Sequence, residues 1–187
     1  MPALKVIYRQ SSYWENTTGC HKYHDSSALE DVITYCLQDK KTPSNLIGSF
    51  GVNIKQAAHE MYQLAKAYGK MGGMHLRHMV LTFSQEEVRH LGEKPLEEIY
   101  KIGTYAAQYY GFEYQIVYAI HEDTTSYHIH FVMNTVSFRS GRKYRGDKAD
   151  YYAFQRYMRD FLDEYYGMRL RVLADNEICH GKYLPSQ

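Results

Sequence analysis

Alternating and helically spaced apolar residues divide the chain into predicted strands and helices. Near the start, ALKVIYRQ (3–10) alternates apolar and polar positions, which predicts a strand. HLRHMVLTFS (75–84) shows the same period of two. FEYQIVYAIH (112–121) and YHIHFVMNTVSF (127–138) then predict two strands joined by the polar EDTTS, a pattern typical of a β-hairpin.

Four further stretches repeat apolar residues every three or four positions, which predicts amphipathic helices. The first begins at Ser26 or Ser27, carries Tyr35 near its middle and ends by Pro43. The other three helices are predicted at about 54–68, 96–111 and 149–167.

The remaining segments complete the predicted architecture. The polar stretch 11–25 predicts a loop, LIGSFGVN (46–53) a loop or short edge strand, and MRLRVLA (168–174) a closing strand. Strands and helices alternate irregularly and include a hairpin, so we expect an α+β fold with a central antiparallel β-sheet packed by helices. A chain of 187 residues fits a single domain spanning 1–187.

Composition restricts the class of protein. With 44% hydrophobic and 23% charged residues, the chain has the make-up of a soluble globular protein. It has neither a signal-peptide pattern nor an apolar run long enough to cross a bilayer, so we expect a cytoplasmic protein with no membrane partner. Cys20, Cys36 and Cys179 are widely spaced and odd in number, which predicts free thiols.

The most informative stretch is HEDTTSYHIHFVMN (121–134), which holds His121, His128 and His130. Residues two apart in a strand share a face, so His128 and His130 project together. The hairpin places His121, at the end of the preceding strand, beside them. Three neutral imidazoles leave coordination positions open, which is the arrangement of a catalytic metal site. A set of hydrogen-bonded structural histidines is the alternative.

Three other polar residues lie near these histidines in the predicted sheet. Asn134 has the same face parity as His128 and His130 and could bind a ligand or phosphate oxygen, or act as a surface or capping amide. His78 and Ser84 lie on the polar face of the predicted strand 75–84. His78 is a candidate base or a residue that supports the metal ligands, and a strand histidine hydrogen-bonded to the backbone is the alternative.

These motifs together resemble the HUH endonuclease superfamily, in particular the relaxases of conjugative and mobilizable elements. That family places a tyrosine in an N-terminal helix, then a strand ending in a Ser/Thr-Phe motif, then the histidine motif. Here the order is ITYCLQDKKT with Tyr35, HMVLTFS with Ser84, and the histidines of 121–134. The resemblance covers about residues 1–140 and is also compatible with the N-terminal part of a longer protein.

The resemblance implies cleavage of one strand of single-stranded DNA at an origin of transfer by transesterification. Tyr35 would attack the scissile phosphate and form a reversible 5′-phosphotyrosyl intermediate. Tyr8, Tyr13 and Tyr23 are other candidates for the nucleophile, and an aromatic ring that packs its helix on the sheet is the alternative for Tyr35. His121, His128 and His130 would hold a divalent cation, with Ser84 among the substrate-orienting residues. Phosphoryl chemistry favours Mg²⁺ or Mn²⁺, although three imidazoles prefer softer ions. The implied partners are the transfer-origin DNA, an accessory DNA-binding protein and a coupling ATPase, in a bacterial cytoplasm.

Local charge suggests a DNA contact although the net charge is only +1. The run RSGRKYRGDK (139–148) follows the histidine strand directly, so we expect it to hold phosphates beside the metal, with an aromatic ring available to stack a base. The predicted DNA-binding residues are Arg139, Arg142, Lys143, Arg145 and Tyr144. A solvated loop is the alternative.

Three other functions remain open at this point. A rolling-circle replication initiator or transposase of the same superfamily would place its tyrosine after the histidines, where Tyr151 and Tyr157 stand. A metal-dependent hydrolase or oxygenase could use the His-x-His pair on an all-β scaffold. A non-catalytic DNA- or protein-binding domain would use the histidines structurally.

Overall fold

The computed structural model describes residues 1–7, 23, 27–38, 46–122 and 126–173. In these ranges it has five α-helices and six β-strands, with a short 3-10 turn, Ile54–Gln56, before the second helix. The helices are α1 (Ser27–Cys36), α2 (Ala57–Ala67), α3 (Gln85–His90), α4 (Pro95–Gly111) and α5 (Lys148–Tyr166). The strands are β1 (Ala3–Ile7), β2 (Ile47–Phe50), β3 (Leu76–Phe83), β4 (Tyr114–His121), β5 (Tyr127–Ser137) and β6 (Arg171–Val172).

All six strands form one sheet in the order β2-β4-β5-β3-β1-β6. Every neighbouring pair is antiparallel except β1 and β6, which run parallel. The predicted α+β class is therefore confirmed, with the correction that the sheet is mixed at one edge. The two central strands, β5 and β3, pair along the whole of β3, from Leu76 opposite Asn134 to Phe83 opposite Tyr127.

Helices cover both faces of this sheet and create two separate cores. On one face α4 and α5 pack against alternate residues of the central strands, and they fully bury Phe131 and Met133 of β5. On the other face α1 and α2 bury Leu76, Val117 and Val132. The period of two along β5 sends Phe131 to the first core and Val132 to the second. The second face is also the one that carries the three histidines.

The structure corrects several predicted boundaries. Helix α1 ends at Cys36, so Tyr35 lies in its last turn and not near its middle. The short helix α3 was not predicted; Ser84 begins it with a reciprocal capping box, in which its side chain accepts from the Glu87 amide. Segment 46–53 contains the edge strand β2, which confirms one of its two predicted forms. The closing strand β6 is shorter than predicted, with only two residues. Helix α5 ends at Tyr166 and is followed by the capping residue Gly167, whose φ of 59° is left-handed.

Some sequence predictions fall on residues that the structure does not describe. These are the loop 11–25 apart from Tyr23, and the helix stop at Pro43. Among the described residues, no helix has both the length and the apolar character to cross a membrane. The five helices rule out the all-β scaffold required by the hydrolase or oxygenase alternative.

Candidate metal centre and nucleophile

The sheet register brings the three histidines of the 121–134 motif to one place. His121, the last residue of β4, pairs directly with His128 of β5, and His130 lies two residues further along the same face. The possible ligand atoms of the three side chains all lie within 4.8 Å of one another. His121 and His130 are buried, whereas His128 is partly exposed and borders solvent. Their role as metal ligands stays a prediction.

Protein groups on the far side of the cluster fix the orientation of two imidazoles. His121 Nε2 is 3.0 Å from the carbonyl oxygen of Cys36. A carbonyl can only accept, so Nε2 carries the proton and Nδ1 of a neutral ring offers its lone pair. His130 Nδ1 lies 2.9 Å from Nε2 of His78, and the Tyr23 hydroxyl lies 3.3 Å from Nδ1 of His78. His78 of β3 therefore contacts a predicted ligand, and its role as a base or as support for that ligand stays a prediction.

This donor set fits a divalent cation. Ligating histidines in proteins usually donate their second ring N–H to a carbonyl or another acceptor, which orients the ring, and His121 is held in this way. Three imidazoles that converge from one side leave further coordination positions for water or substrate oxygens. The partly exposed His128 marks the side from which substrate could approach.

Tyr35 lies directly beside this cluster and is 42% exposed. Its ring centroid is 5.7 Å from those of both His121 and His130, at steep interplanar angles of 64° and 84°. The position follows from α1, whose last turn is attached to β4 through the Cys36 carbonyl. An accessible phenol is thereby held next to the predicted metal ligands.

Other tyrosines considered as nucleophiles are less suitable. Tyr23 is only 3% exposed, and burial, with the nearby Cys36 as a second cause, raises the pKa of Tyr23 well above the usual range of a phenol. Tyr151 and Tyr157, which follow the histidines in the chain, belong to α5 and pack on the opposite face of the sheet. Tyr8 and Tyr13 lie outside the described residues. Of the described tyrosines weighed for this role, Tyr35 is the one beside the histidines.

The structure corrects the prediction that Asn134 could contact a ligand. Asn134 shares the histidine face but is fully buried beneath α2. Its Nδ2 donates to the carbonyl of Met61 at 3.1 Å and to Gln115 Oε1 at 2.9 Å, while its Oδ1 accepts from the amide of Val136 at 3.0 Å. The side chain thus links α2 to the sheet, and the three hydrogen bonds just described all join it to protein groups.

We expect Asn134→Ala to lower the free energy of unfolding by about 3 kcal/mol, because it leaves buried polar partners unsatisfied. Urea denaturation measures this change. The matched control is Asn53→Ala, which removes a hydrogen bond at the exposed start of the 3-10 turn and should cost under about 1 kcal/mol. Unchanged stability together with lost DNA cleavage would instead support contact with substrate.

Ser84 serves a local structural purpose. Its hydroxyl accepts from the Glu87 amide at 3.4 Å, and the Glu87 carboxylate in turn accepts from the Ser84 amide at 2.6 Å. This capping box begins α3. A contact with substrate remains a prediction for Ser84.

The basic run 139–148 does not lie beside the histidines. It follows the end of β5 at Ser137, whereas His128 and His130 lie at the start of that strand. Seven steps along the strand lead from His130 to Ser137, a distance of about 23 Å. The run then turns back only as far as Val136 and Thr135, beside which Lys143 and Tyr144 lie. The predicted position of this run next to the metal ligands is therefore wrong, while its binding of phosphates stays a prediction.

Two residues of that run are used inside the protein. The Lys143 ammonium donates to the carbonyl of Gly72, and burial, together with Lys70, lowers the pKa of Lys143. Tyr144 donates its hydroxyl to Asp150 and accepts from Arg77, and its ring lies against those of Tyr110 and Tyr114. Base stacking by Tyr144 stays a prediction. Arg139, Arg142 and Arg145 are exposed at this end of the sheet.

Two basic residues that sequence reasoning did not single out lie on the histidine face. Lys5 of β1 pairs with Val80, which pairs in turn with His130. Arg171 of β6 begins the row that crosses the sheet through Ala3, Thr82 and His128. Adjacent strands are about 4.8 Å apart, so Lys5 lies about 10 Å from the His130 backbone. Only the strand order could reveal this, because both residues are distant from the histidines in sequence.

Comparison with known proteins agrees with this fold. A family model described as "Relaxase: MobA/VirD2-like, nuclease domain" matches residues 35–166, from Tyr35 through the histidines to the end of α5. The chain therefore belongs to the MobA/VirD2-like relaxase family, through its nuclease domain. Among curated proteins it is similar to Protein rlx of Staphylococcus aureus, with 29% identity over 163 residues.

That alignment covers 87% of this chain and 42% of the relative, so the chain spans less than half of the length of Protein rlx. No solved structure matches the chain significantly. The family match confirms the resemblance drawn from the tyrosine, Ser84 and histidine motifs.

Proposed function

We propose that this chain nicks one strand of DNA at an origin of transfer by tyrosine transesterification, in conjugative transfer or mobilization. The observation that carries the proposal is the exposed Tyr35 ring, 5.7 Å from the rings of two of the three clustered histidines. Membership of a relaxase nuclease family supports it. A replication initiator or transposase would use a tyrosine after the histidines, but Tyr151 and Tyr157 of α5 pack on the face of the sheet opposite the histidines.

The proposed reaction conserves the phosphodiester bond. The Tyr35 Oη loses its proton and attacks the scissile phosphorus, forming a phosphotyrosyl bond at the new 5′ end of the cleaved strand. The P–O3′ bond breaks, and the departing 3′ oxygen takes up a proton as a free hydroxyl. Because no water is consumed, the 3′-hydroxyl can later attack the phosphotyrosine and rejoin the strand.

His121, His128 and His130 would hold the divalent cation that relaxases require. When bound there, the ion neutralises charge on the non-bridging phosphate oxygens and makes the phosphorus more electrophilic. His78 and the Cys36 carbonyl keep two of these imidazoles in place from behind. We propose Mg²⁺ or Mn²⁺ as the working ion, because both accept the oxygen-rich coordination of a phosphate substrate.

The single strand would approach over the part of the histidine face formed by β3, β1 and β6. Val80 and Thr82 are only partly buried there, in contrast to the fully buried Val117 and Val132 beneath α1 and α2. Lys5 on this face supplies positive charge for the phosphate backbone. In the cell, we propose that an accessory DNA-binding protein and a coupling ATPase act with the nuclease at the transfer origin.

We expect Lys5→Gln to weaken the binding of a single-stranded oligonucleotide and to reduce the slope of log affinity against log salt by about 0.7, the value for one lost phosphate contact on a single strand. Fluorescence anisotropy at several salt concentrations measures both. Arg142→Gln, an equal change of charge in the exposed loop at the far end of β5, should leave the slope nearly unchanged. The opposite result would move the DNA path to the 139–148 loop.

The proposed function is tested with labelled single-stranded oligonucleotides that tile the transfer origin of the chain's own genetic element. The protein is incubated with each oligonucleotide in Mn²⁺ or in EDTA and resolved on a denaturing gel. We expect a covalent protein–DNA adduct on one strand in Mn²⁺ and none in EDTA. The absence of both adduct and cleavage on every oligonucleotide would favour a non-catalytic DNA-binding domain.

A further inference from the structure

A second group of potential metal ligands lies beneath the histidine cluster. Cys36, His78 and His130 place one possible ligand atom each within 4.8 Å of one another. All three are buried, with exposures of 1%, 5% and 7%. Helix α1 contributes the thiol, β3 and β5 contribute the imidazoles, and His130 belongs to both groups.

The chemistry of this buried group differs from that of the first. A thiolate with two imidazoles is a soft ligand set, which selects zinc over magnesium or manganese. Tetrahedral coordination of zinc separates neighbouring ligand atoms by roughly 3.5 Å. The ligand nitrogens of His78 and His130, which lie 2.9 Å apart, therefore have to separate slightly, while any pair near the 4.8 Å limit of the group has to close. His78 Nδ1 can donate to the Tyr23 hydroxyl while its Nε2 binds the ion, and such a bond orients a ligand.

We propose that Cys36, His78 and His130 form a separate Zn²⁺ site whose occupancy excludes the catalytic cation. The two ions exclude each other because both would need His130, and a neutral imidazole has only one nitrogen that can bind an ion. Its Nδ1 faces His78, so the buried ion binds this nitrogen. The Nε2 of a neutral imidazole then carries the proton and cannot complete the cluster with His121 and His128. Zinc at Cys36 therefore inhibits the nuclease.

Cobalt spectroscopy tests the site without DNA. Co²⁺ replaces zinc in tetrahedral sites, and a thiolate ligand gives a charge-transfer band in the near ultraviolet. The starting protein is Cys20→Ser/Cys179→Ser, in which Cys36 is the only remaining thiol. We expect Co²⁺ to produce the thiolate band in this protein, and Cys36→Ser in the same background to abolish it.

His128→Ala is the matched variant, because His128 belongs to the upper group alone. We expect this variant to keep the thiolate band although it loses one proposed ligand of the catalytic ion. If His128→Ala abolished the band, the thiolate-bound ion would depend on the catalytic ligands and the separate site would be refuted. A starting protein that gave no band with Co²⁺ would refute it directly, without any change at Cys36.

The proposed inhibition of the nuclease by zinc rests on the proposed function. It is measured as the decrease in covalent adduct formed in Mn²⁺ as the Zn²⁺ concentration is raised. We expect Cys36→Ser to raise the zinc concentration for half-inhibition by at least about tenfold, since the softest ligand is lost. An unchanged zinc concentration would overturn the competition. A protein that forms no adduct at all would refute the proposed function, while the cobalt band would still decide whether the buried site exists.

Discussion

Replacing Tyr35 by phenylalanine abolishes the covalent protein–DNA adduct and lowers strand cleavage by at least about a thousandfold, the scale of losing a nucleophile. This is the largest effect that we expect. The substitution removes one oxygen and keeps the ring, so the contacts with His121 and His130 remain. The hydroxyl is on an exposed side chain, so stability should change little. A denaturing gel measures the adduct, and anisotropy should show unchanged DNA affinity.

Two further tyrosine variants make this result specific. Tyr151→Phe removes a hydroxyl from α5 on the opposite face of the sheet and should leave the adduct intact. Tyr23→Phe removes a buried hydroxyl that contacts His78, and it should not prevent the covalent attachment of Tyr35 to DNA. An adduct that persisted in Tyr35→Phe and disappeared in Tyr151→Phe would identify an enzyme of the replication-initiator or transposase kind.

The second large effect concerns the histidines. We expect His121→Ala to reduce Mn²⁺-dependent cleavage by at least about a hundredfold, because even residues that merely orient metal ligands cost ten- to a hundredfold when removed. EDTA should stop the wild-type reaction, and excess Mn²⁺ should restore it. Isothermal titration with Mn²⁺ measures the loss of affinity directly.

His59→Ala is the control, because this histidine lies in the first turn of α2, outside both ligand groups. It should retain Mn²⁺ affinity and cleavage. If His121→Ala also retained both, the histidine cluster would be structural and the nuclease would need another metal site.

Local patterns in the sequence predict much of this fold. Period-two alternation places His128 and His130 on one face whatever the rest of the chain does, and the hairpin then fixes His121 opposite His128. The repeat of apolar residues every three or four positions predicts α4 and α5, and this repeat is also a local property of the sequence. The six-residue α3 is too short to generate a recognisable repeat, and its capping box is visible only once Ser84 is known to end a strand.

Features that depend on tertiary packing could not be predicted. The 139–148 loop follows the histidine strand in sequence, yet β5 is 11 residues long and carries it to the far end of the sheet. Asn134 has the parity of a ligand, but only the position of α2 shows that it is covered. Cys36 and His78 are far apart in the chain and meet because α1 packs on β4 and β5.

The end of α1 also gives the histidine cluster an electrostatic character that neutral imidazoles lack. The carbonyls of a helix's last turn have no partner within the helix and concentrate roughly half a negative charge at that terminus. In α1 the Cys36 carbonyl at this terminus points at His121. The backbone field of one short helix therefore favours a cation at this face of the sheet, although the cluster itself consists of three histidines and contains no carboxylate.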